Sequence, residues 1–266
     1  STKVYENESL KAKVLSVKSE QGLGDTIQFA RYVKLFMDVD VKKILFRVHS
    51  DLLGLLKQFE NDKIEVVGEG NMHKLYSDYE IELMSLPRYF YNKVPNIPFA
   101  NGYIREIKKI DIQVHKTKKN IGIVWQGNSA NKNNQKRIIK LSMLKDFIKQ
   151  DKYKFYSLQK EDMQSEIDEN NLGNKIINLS SQINTWNDTA SMINELDLVI
   201  SIDTSIAHLS GAMNKKTILL LQYMPDFRWL LNTDKCPWYE SMHIIRQSYR
   251  DEWLNVMEDL EKHCTS

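Results

Sequence analysis

The most constraining feature of the sequence is a buried strand that runs directly into a helix near residue 203. Residues 198–202 are apolar and rich in β-branched side chains, which predicts a strand covered on both faces. Apolar residues then recur at helical spacing through 206–213, and the switch falls on Asp203, Thr204 and Ser205, all good helix-capping residues. Such a turn leaves free backbone N–H groups at the carboxyl edge of a sheet, where α/β folds bind phosphate. An ordinary capped turn without a ligand is the alternative.

Length and composition set the bounds on fold and partners. The chain has 266 residues, enough for one large or two modest domains, and its formal net charge of +2 gives no reason to expect a nucleic-acid partner. Cys236 and Cys264 form neither a disulfide framework nor a metal-spaced set, so we expect a reducing, cytoplasmic setting. We find no signal peptide and no long apolar span. Because the chain begins with Ser1, we expect a trimmed protein or one domain of a longer one.

A second strand-to-helix turn lies near the N-terminus. A strand predicted over 13–19 leads through Glu20-Gln-Gly-Leu-Gly-Asp25 into a helix over 26–37. Gly22 and Gly24 suit a tight turn that a ligand can approach closely, although the spacing is neither a full dinucleotide fingerprint nor a P-loop. The same half of the chain predicts strands over 43–48, 63–67 and 79–83, with a helix over 51–59.

The alternation of strands and helices restarts after a charged segment. Residues 106–120 carry few apolar anchors and predict the connection between two lobes. Strands are predicted over 121–125, 153–158, 175–179, 198–202 and 216–221, and helices over 142–148, 188–196 and 251–263. We therefore predict an N-terminal lobe over 1–112 and a C-terminal lobe over 113–266, whose last helix could pack back on the N-terminal lobe. Ligands of such a pair bind in the cleft between the lobes.

Individual side chains allow two interpretations each. Asp25 could be a general base or only a helix-terminus partner, and His208 could contact phosphate or ribose or be structural. Trp125 could stack on a nucleobase, but a tryptophan at a strand end is more typical of a core. Arg228 could pair with a phosphate, although a structural salt bridge is more typical. The aromatic cluster of Trp229, Trp238 and Tyr239 is better suited to closing the interface between the lobes.

The residues also carry a family resemblance. Residues 20–32, which begin Glu20-Gln-Gly-Leu-Gly-Asp25, closely resemble the opening signature of the glycosyltransferase domain that follows tetratricopeptide repeats in many bacterial proteins. That domain is similar to the heptosyltransferases of glycosyltransferase family 9. Four more blocks match in order, at 122–128, 157–160, 197–212, and 226–230 with 237–239. The resemblance covers residues 13–253 and implies a GT-B fold, with two Rossmann-like, doubly wound α/β lobes facing across a cleft.

The resemblance also implies an activity. It implies an inverting, metal-independent transfer of a sugar from a nucleotide-diphosphate donor, with no further cofactor. The acceptor is expected in the N-terminal lobe, whose loop contains Gly22 and Gly24, and the family's proposed general base falls on Asp25. The expected donor-binding residues are Trp125, Gln126, Lys136 or Arg137, Gln159, Asp203, Thr204, Ser205 and His208. The acceptor is a glycan, a lipid-linked lipopolysaccharide precursor or a protein; peripheral membrane proximity and attached tetratricopeptide repeats are further expectations.

Three rival functions remain open from the sequence. The first is an inactive nucleotide-sugar or glycan-binding module of a larger repeat protein. The second is a sugar-nucleotide epimerase with the same fold, which would need further acid and base residues in the C-terminal lobe. The third is a Rossmann dehydrogenase, which is disfavoured because no dinucleotide fingerprint with a ribose-binding acid follows any predicted strand.

Overall fold

The structure of the chain is a computed structural model that describes residues 2–70, 75–93, 96–127 and 137–264. It contains eleven named strands in its described part. They are β1 (Lys3–Val4), β2 (Val14–Lys18), β3 (Lys43–Val48), β4 (Ile64–Gly68), β5 (Tyr79–Glu82), β6 (Lys119–Val124), β7 (Tyr153–Ser157), β8 (Ile176–Asn178), β9 (Leu198–Ile202), β10 (Thr217–Leu221) and β11 (Met242–Arg246). The α-helices are α1 (Leu23–Phe29), α2 (Leu53–Leu56), α3 (Leu86–Phe90), α4 (Leu141–Ile148), α5 (Gln164–Glu169), α6 (Trp186–Glu195), α7 (Ser205–Ala212) and α8 (Leu254–Cys264).

The strands β1 to β11 form two sheets, in which each pair of neighbouring strands is parallel. The first has the order β1-β5-β2-β3-β4 and the second the order β11-β10-β9-β6-β7-β8. This confirms the predicted α/β, doubly wound architecture. The strand order reverses between β2 and β5 in the first sheet and between β6 and β9 in the second. Ligands of doubly wound sheets bind outside the carboxyl ends of the strands at such reversals. The predicted lobe boundary at residue 112 stays a prediction.

Several elements differ from those predicted. The helix expected over 26–37 is an α-helix only to Phe29 and continues as a 3₁₀ helix over Ala30–Asp38. Strands β1 and β11 and helices α3 and α5 were not predicted. Ile167 is the one buried residue of helix α5, and its neighbours in the helix are polar. The helix therefore has no repeating apolar pattern from which it could be predicted. Strand β11 has His243 as its second residue and Arg246 as its last. These polar residues leave an apolar run too short to predict the strand.

The hydrophobic core joins the two lobes. One continuous cluster contains the core of the first sheet, including Val17 and Phe46, and the inner face of the second sheet, including Val199 and Leu219. A second cluster covers the outer face of the second sheet. Helix α8 belongs to that outer cluster through Val256 and other buried residues, and the Lys119 ammonium donates to the carbonyl of Cys264 at 3.0 Å. The expectation that the last helix returns to the N-terminal lobe is therefore corrected, since its apolar face is buried on the C-terminal lobe.

A buried arginine, Arg31, forms hydrogen bonds across the interface between the lobes. The Arg31 side chain is fully buried, and its Nη1 donates to the carbonyl of Trp238 at 2.7 Å and to that of Pro98 at 3.2 Å. Its guanidinium also lies over the rings of Tyr103 and Tyr239, with centroid distances of 4.6 and 4.8 Å. Backbone carbonyls and π faces replace the water that the charge loses on burial. The predicted interface role of the aromatic cluster is thus what the structure has. Within the described ranges, no helix is long and apolar enough to cross a membrane.

Candidate active site

The two strand-to-helix turns singled out by the sequence meet between the lobes. A Cβ atom added to Gly24, in the first turn of α1, would lie 3.0 Å from Cδ2 of His208 and 3.4 Å from Cα of Ser205 in the first turn of α7. Gly24 therefore makes room for the opposite helix, and its predicted place in an acceptor site stays a prediction. Gly22 has an ordinary φ of −66°, so its backbone does not require glycine. The first turns of α1 and α7 consequently share one site.

Asp25 is held by groups from both lobes. Its Oδ2 accepts a hydrogen bond from the Gly22 backbone N–H at 3.0 Å, and its Oδ1 lies 2.6 Å from Nη2 of Arg228. The second contact is an ion pair without hydrogen-bond alignment. The side chains of Arg228 and Asp25 are only 12% and 20% exposed. Nε of Arg228 also lies 3.0 Å from Oδ1 of Asp226, so one guanidinium joins two carboxylates.

Asp203 lies in a different environment at the end of β9. It is 9% exposed, and burial raises the pKa of its carboxyl, while Arg137 and Arg228 act to lower that pKa. Nη1 of Arg137 is 3.5 Å from the carboxylate and donates to the Asp203 carbonyl at 3.4 Å. The Trp229 indole lies close to the carboxylate, and its N–H falls short of full hydrogen-bond geometry. Asp203 is thus a buried carboxylate that faces Arg137.

The N-terminus of α7 lacks a side-chain cap among the described residues. Thr204 occupies the N-cap position in an extended conformation, but its side chain makes no capping hydrogen bond. Its hydroxyl instead shares a hydrogen bond of 3.1 Å with Oγ of Ser201. Within the described ranges, no side chain caps the first N–H groups of the helix, which lie at the positive end of its dipole. Ser205 is half-buried at this end, beside the first turn of α1.

His208 and Trp125 are both buried and hydrogen-bonded within the protein, and their expected donor contacts stay predictions. The His208 imidazole is 2% exposed, stacks on Trp229 with a centroid distance of 5.1 Å, and shares a hydrogen bond of 2.9 Å between Nδ1 and the Tyr239 hydroxyl. Burial lowers the pKa of His208 well below its usual value, and nearby arginines act in the same direction. Trp125 is fully buried, and its Nε1 donates to Glu166 at 2.9 Å.

Gln126 and Gln159 shape the loop that follows β6. The side-chain oxygen of Gln159 accepts hydrogen bonds from the backbone N–H groups of Trp125 at 2.9 Å and Gln126 at 3.0 Å. Gln126 donates in turn to Glu166 at 2.8 Å. Gln159, which is 4% exposed, thus holds the start of this loop at Trp125 and Gln126, and its expected donor contact stays a prediction. Of the two basic residues predicted beyond the loop, Lys136 lies outside the described residues and Arg137 reaches the turn at Asp203.

A cavity of about 300 Å³ lies between the lobes beside α7. The N-terminal lobe contributes Asp51 and Gly54, and the C-terminal lobe contributes Lys160 and Ile183. Ile206, the second residue of α7, also lines the cavity. The cavity therefore lies beside the N-terminus of α7. Apolar walls with a few polar groups are typical of small-molecule sites.

Sequence reasoning missed the residues that organise the site from a distance. Arg228 was expected to form a salt bridge, but not with Asp25 of the other lobe. Glu166, which accepts from Trp125, Gln126 and the Leu141 backbone, lies on a helix that no apolar period marks. The carboxylate oxygens of Glu20 accept hydrogen bonds from the backbone N–H groups of Leu83 and Met84. These bonds lie where the strand order reverses between β2 and β5. Its place at the end of a predicted strand is the one signal that could have indicated this role.

Solved structures with the same architecture are sugar-transferring enzymes. A glycosyltransferase of family 9 from Veillonella parvula DSM 2008 matches with a TM-score of 0.58 and 14% identity, over 97% of this chain and 90% of that one. The ADP-heptose LPS heptosyltransferase II of E. coli matches with a TM-score of 0.61 and 11% identity, over 94% of this chain and 98% of that one. The fold is that of the family 9 heptosyltransferases. E. coli heptosyltransferase WaaC with ADP agrees, with a TM-score of 0.61 and 9% identity, over 95% of this chain and 98% of that one.

These similarities confirm the fold that the resemblance implied, the two-lobed GT-B arrangement. No protein-family model matches the sequence, and no curated protein matches it significantly. At sequence identities of 9–14%, the similarity to the heptosyltransferases is one of architecture. The attached tetratricopeptide repeats stay a prediction.

Proposed function

We propose that this protein is an inverting, metal-independent glycosyltransferase that moves a sugar from a nucleoside-diphosphate sugar to a hydroxyl acceptor. The observation that carries the proposal is the meeting of two turns, one bearing a partly exposed carboxylate and the other a helix N-terminus without a side-chain cap among the described residues. Sugar transfer needs both groups within one site, a base for the acceptor hydroxyl and a cradle for the departing diphosphate. The ADP-dependent heptosyltransferases of the same fold add support.

In the proposed reaction Asp25 is the general base. Its Oδ1 faces Arg228, and Oδ2 accepts one backbone N–H, so the second lone pair of Oδ2 would accept the proton of the acceptor hydroxyl. The hydroxyl oxygen then attacks the anomeric carbon while the bond from that carbon to the diphosphate oxygen breaks. The electron pair of that bond leaves with the nucleoside diphosphate, and the configuration at carbon inverts. Arg228 acts as a positioning residue, since it fixes the carboxylate without contacting the reacting carbon.

The C-terminal lobe is proposed to hold the donor. The backbone N–H groups at Ser205 would donate hydrogen bonds to the diphosphate, and Arg137, already at the turn, would pair with it as charge develops. The adjacent cavity with Ile183 and Ile206 on its walls would take the nucleoside. The described residues contain no group of three or more His, Cys, Asp or Glu side chains arranged to hold a metal. In the proposed site, backbone N–H groups and Arg137 would neutralise the charge of the diphosphate.

A panel of ADP-, GDP-, UDP- and dTDP-sugars tests the proposal. We expect one nucleotide class to raise the melting temperature, and its sugar to be transferred or slowly hydrolysed with release of the nucleoside diphosphate. The rate should be unchanged by EDTA. Binding without any release would favour the inactive binding module, and no thermal shift with any nucleotide would refute the proposal. Strict recovery of activity only on adding Mg²⁺ or Mn²⁺ would refute metal independence alone.

A further inference from the structure

A second, larger groove lies on the N-terminal lobe. Its volume is about 1170 Å³, and it runs along the carboxyl ends of β1, β5 and β2. Lys18 and Glu82, the last residues of β2 and β5, are neighbours in the sheet register and both line the groove. The groove therefore lies at the reversal of strand order in the first sheet, the place where doubly wound sheets bind ligands. The proposed nucleotide cavity and this groove have no lining residue in common.

The groove is connected to the loop that leads to Asp25. Glu20, two residues beyond Lys18, accepts hydrogen bonds from the backbone N–H of Leu83 at 3.1 Å and of Met84 at 3.0 Å. These bonds tie the segment between β2 and α1 to the segment that follows β5. A molecule in the groove would therefore lie against the same sheet edge from which the proposed base projects.

The walls of the groove carry charges that do not neutralise one another. Three carboxylates and two cations line it: Glu6, Glu80, Glu82, Lys18 and Arg88. Throughout the described ranges, none of these five takes part in an ion pair. The formal sum is 2 − 3 = −1, so the groove offers no positive field for a phosphate or carboxylate group.

One aromatic ring in the groove is open. Tyr91 is 78% exposed at the groove wall. Tyr89, by contrast, has its ring stacked on Phe36 with a centroid distance of 5.9 Å and covered by the Lys93 ammonium at 3.6 Å. Tyr91 therefore offers an apolar face with a polar tip to a ligand, which is how tyrosine is used in binding sites.

We infer that the groove binds the acceptor, and that the acceptor is an uncharged glycan; this inference rests on the proposed function. Carboxylates accept hydrogen bonds from sugar hydroxyls, the guanidinium and ammonium groups donate to them, and the Tyr91 ring packs against the apolar C–H face of a pyranose. The volume exceeds the roughly 300–1,000 Å³ of ordinary small-molecule pockets, so the groove suits an oligosaccharide rather than a single sugar. The excess of carboxylates selects against acceptors that carry phosphate or uronic acid groups.

A glycan array probed with the intact protein tests the inference. The array presents neutral hexose and deoxyhexose oligosaccharides beside phosphorylated, sialylated and uronic-acid-containing ones. We expect binding to neutral glycans in the absence of a donor. Tyr91→Ala should weaken that binding by at least about tenfold. Tyr76→Ala is the matched control, because Tyr76 is 72% exposed on the same lobe and does not line the groove. A Glu80→Lys, Glu82→Lys double variant should shift the preference toward phosphorylated glycans.

The outcomes separate this inference from the proposed function. Preference of the wild type for anionic glycans, absence of any glycan binding, or equal binding by wild type and Tyr91→Ala would each overturn the inference. A thermal shift with nucleotide sugars is measured on the same samples. If nucleotide sugar binds and glycan does not, the acceptor assignment alone fails. If neutral glycan binds at Tyr91 and no nucleotide sugar does, the transferase proposal fails and a glycan-binding groove remains.

Discussion

The two aspartates that follow β2 and β9 occupy corresponding places in the two lobes, yet their surroundings differ. Asp25 comes after two glycines, keeps 20% of its side chain exposed, and faces an arginine from the other lobe. Asp203 directly follows β9, is 9% exposed, and its pKa is raised by burial. An accessible carboxylate with a fixed orientation suits proton transfer, and a buried one suits the support of a turn. We therefore separate the roles of the two aspartates, although the local sequences are alike.

The largest expected effect is that of Asp25→Asn on the rate of sugar transfer. General-base help is typically worth about 10²–10⁴-fold, and the amide cannot supply it. Asn can still accept the Gly22 N–H, so unfolding free energy and donor affinity should stay near wild type. Transfer kinetics, a nucleotide titration and a urea melt give the three quantities. Asp226→Asn is the control, since Asp226 contacts Arg228 without belonging to the N-terminal turn. Equal transfer rates in Asp25→Asn and wild type would place the base elsewhere.

Arg137→Gln should act on donor affinity. A hydrogen bond to a charged group contributes about 1.5–3 kcal/mol, so we expect the dissociation constant for the nucleoside diphosphate to rise about 10–100-fold. Isothermal titration measures it, with Arg250→Gln at an exposed position of the same lobe as control. An unchanged dissociation constant for Arg137→Gln would mean that the diphosphate binds away from the C-terminal turn.

His208 should make stability depend on pH. Its folded-state pKa is lowered by burial, whereas in the unfolded chain it titrates near its ordinary value of about 6.5. Below that pH the unfolded chain binds a proton that the folded protein does not. The free energy of unfolding should therefore fall as pH drops below about 6.5, by up to about 1.4 kcal/mol per pH unit, until pH reaches the folded pKa.

Urea melts between pH 7.5 and 4.5 check this dependence in wild type and His208→Gln. The variant should lose part of the slope, while the contribution of His243, whose pKa is also lowered by burial, remains in both proteins. Parallel curves for wild type and variant would show that His208 is protonated with the same pKa in the folded and unfolded states.

Asp203→Asn should have the smallest effect. Because burial raises the pKa of Asp203, its charged form is disfavoured in the folded protein, and a neutral amide of the same shape removes that cost. We expect the free energy of unfolding at pH 7 to stay within about 1 kcal/mol of wild type or to rise. Asp188→Asn is the control. Asp188 is 2% exposed and accepts from Lys108 and Thr185, so its replacement should cost about 1–3 kcal/mol. A larger loss for Asp203→Asn than for Asp188→Asn would contradict the distinction.

The comparison also shows which parts of the site the sequence could predict. Both turns were predictable, because an apolar strand, a short polar switch and a helical period are local patterns. Arg228 as the partner of Asp25 was not, because the contact depends on how the lobes pack. The burial of Trp125 and His208 was left open for a similar reason: a ring beside a strand end or helix start faces either inward or outward according to its tertiary neighbours. Helix α5, which supplies Glu166, has too few apolar residues for its sequence to predict a helix.

The fold was predictable to a greater depth than the site. The alternation of strands and helices fixes a doubly wound class, and the handedness of parallel crossovers leaves few topologies. The division of the helix after Phe29 into α and 3₁₀ parts has no signature in residues 30–38 that we can identify. Gly24 illustrates the remaining gap, since its spacing indicated a close approach and only the tertiary structure shows that His208 and Ser205 are what it approaches.

A crystal structure of the protein with the nucleoside diphosphate selected by the sugar panel tests the central claim most directly. We expect diphosphate oxygens about 2.7–3.2 Å from backbone N–H groups in the first turn of α7, with Arg137 turned toward them and Asp25 facing the terminal phosphate across the cleft. A diphosphate bound away from Ser205, or one whose terminal phosphate points away from Asp25, would contradict the proposed site.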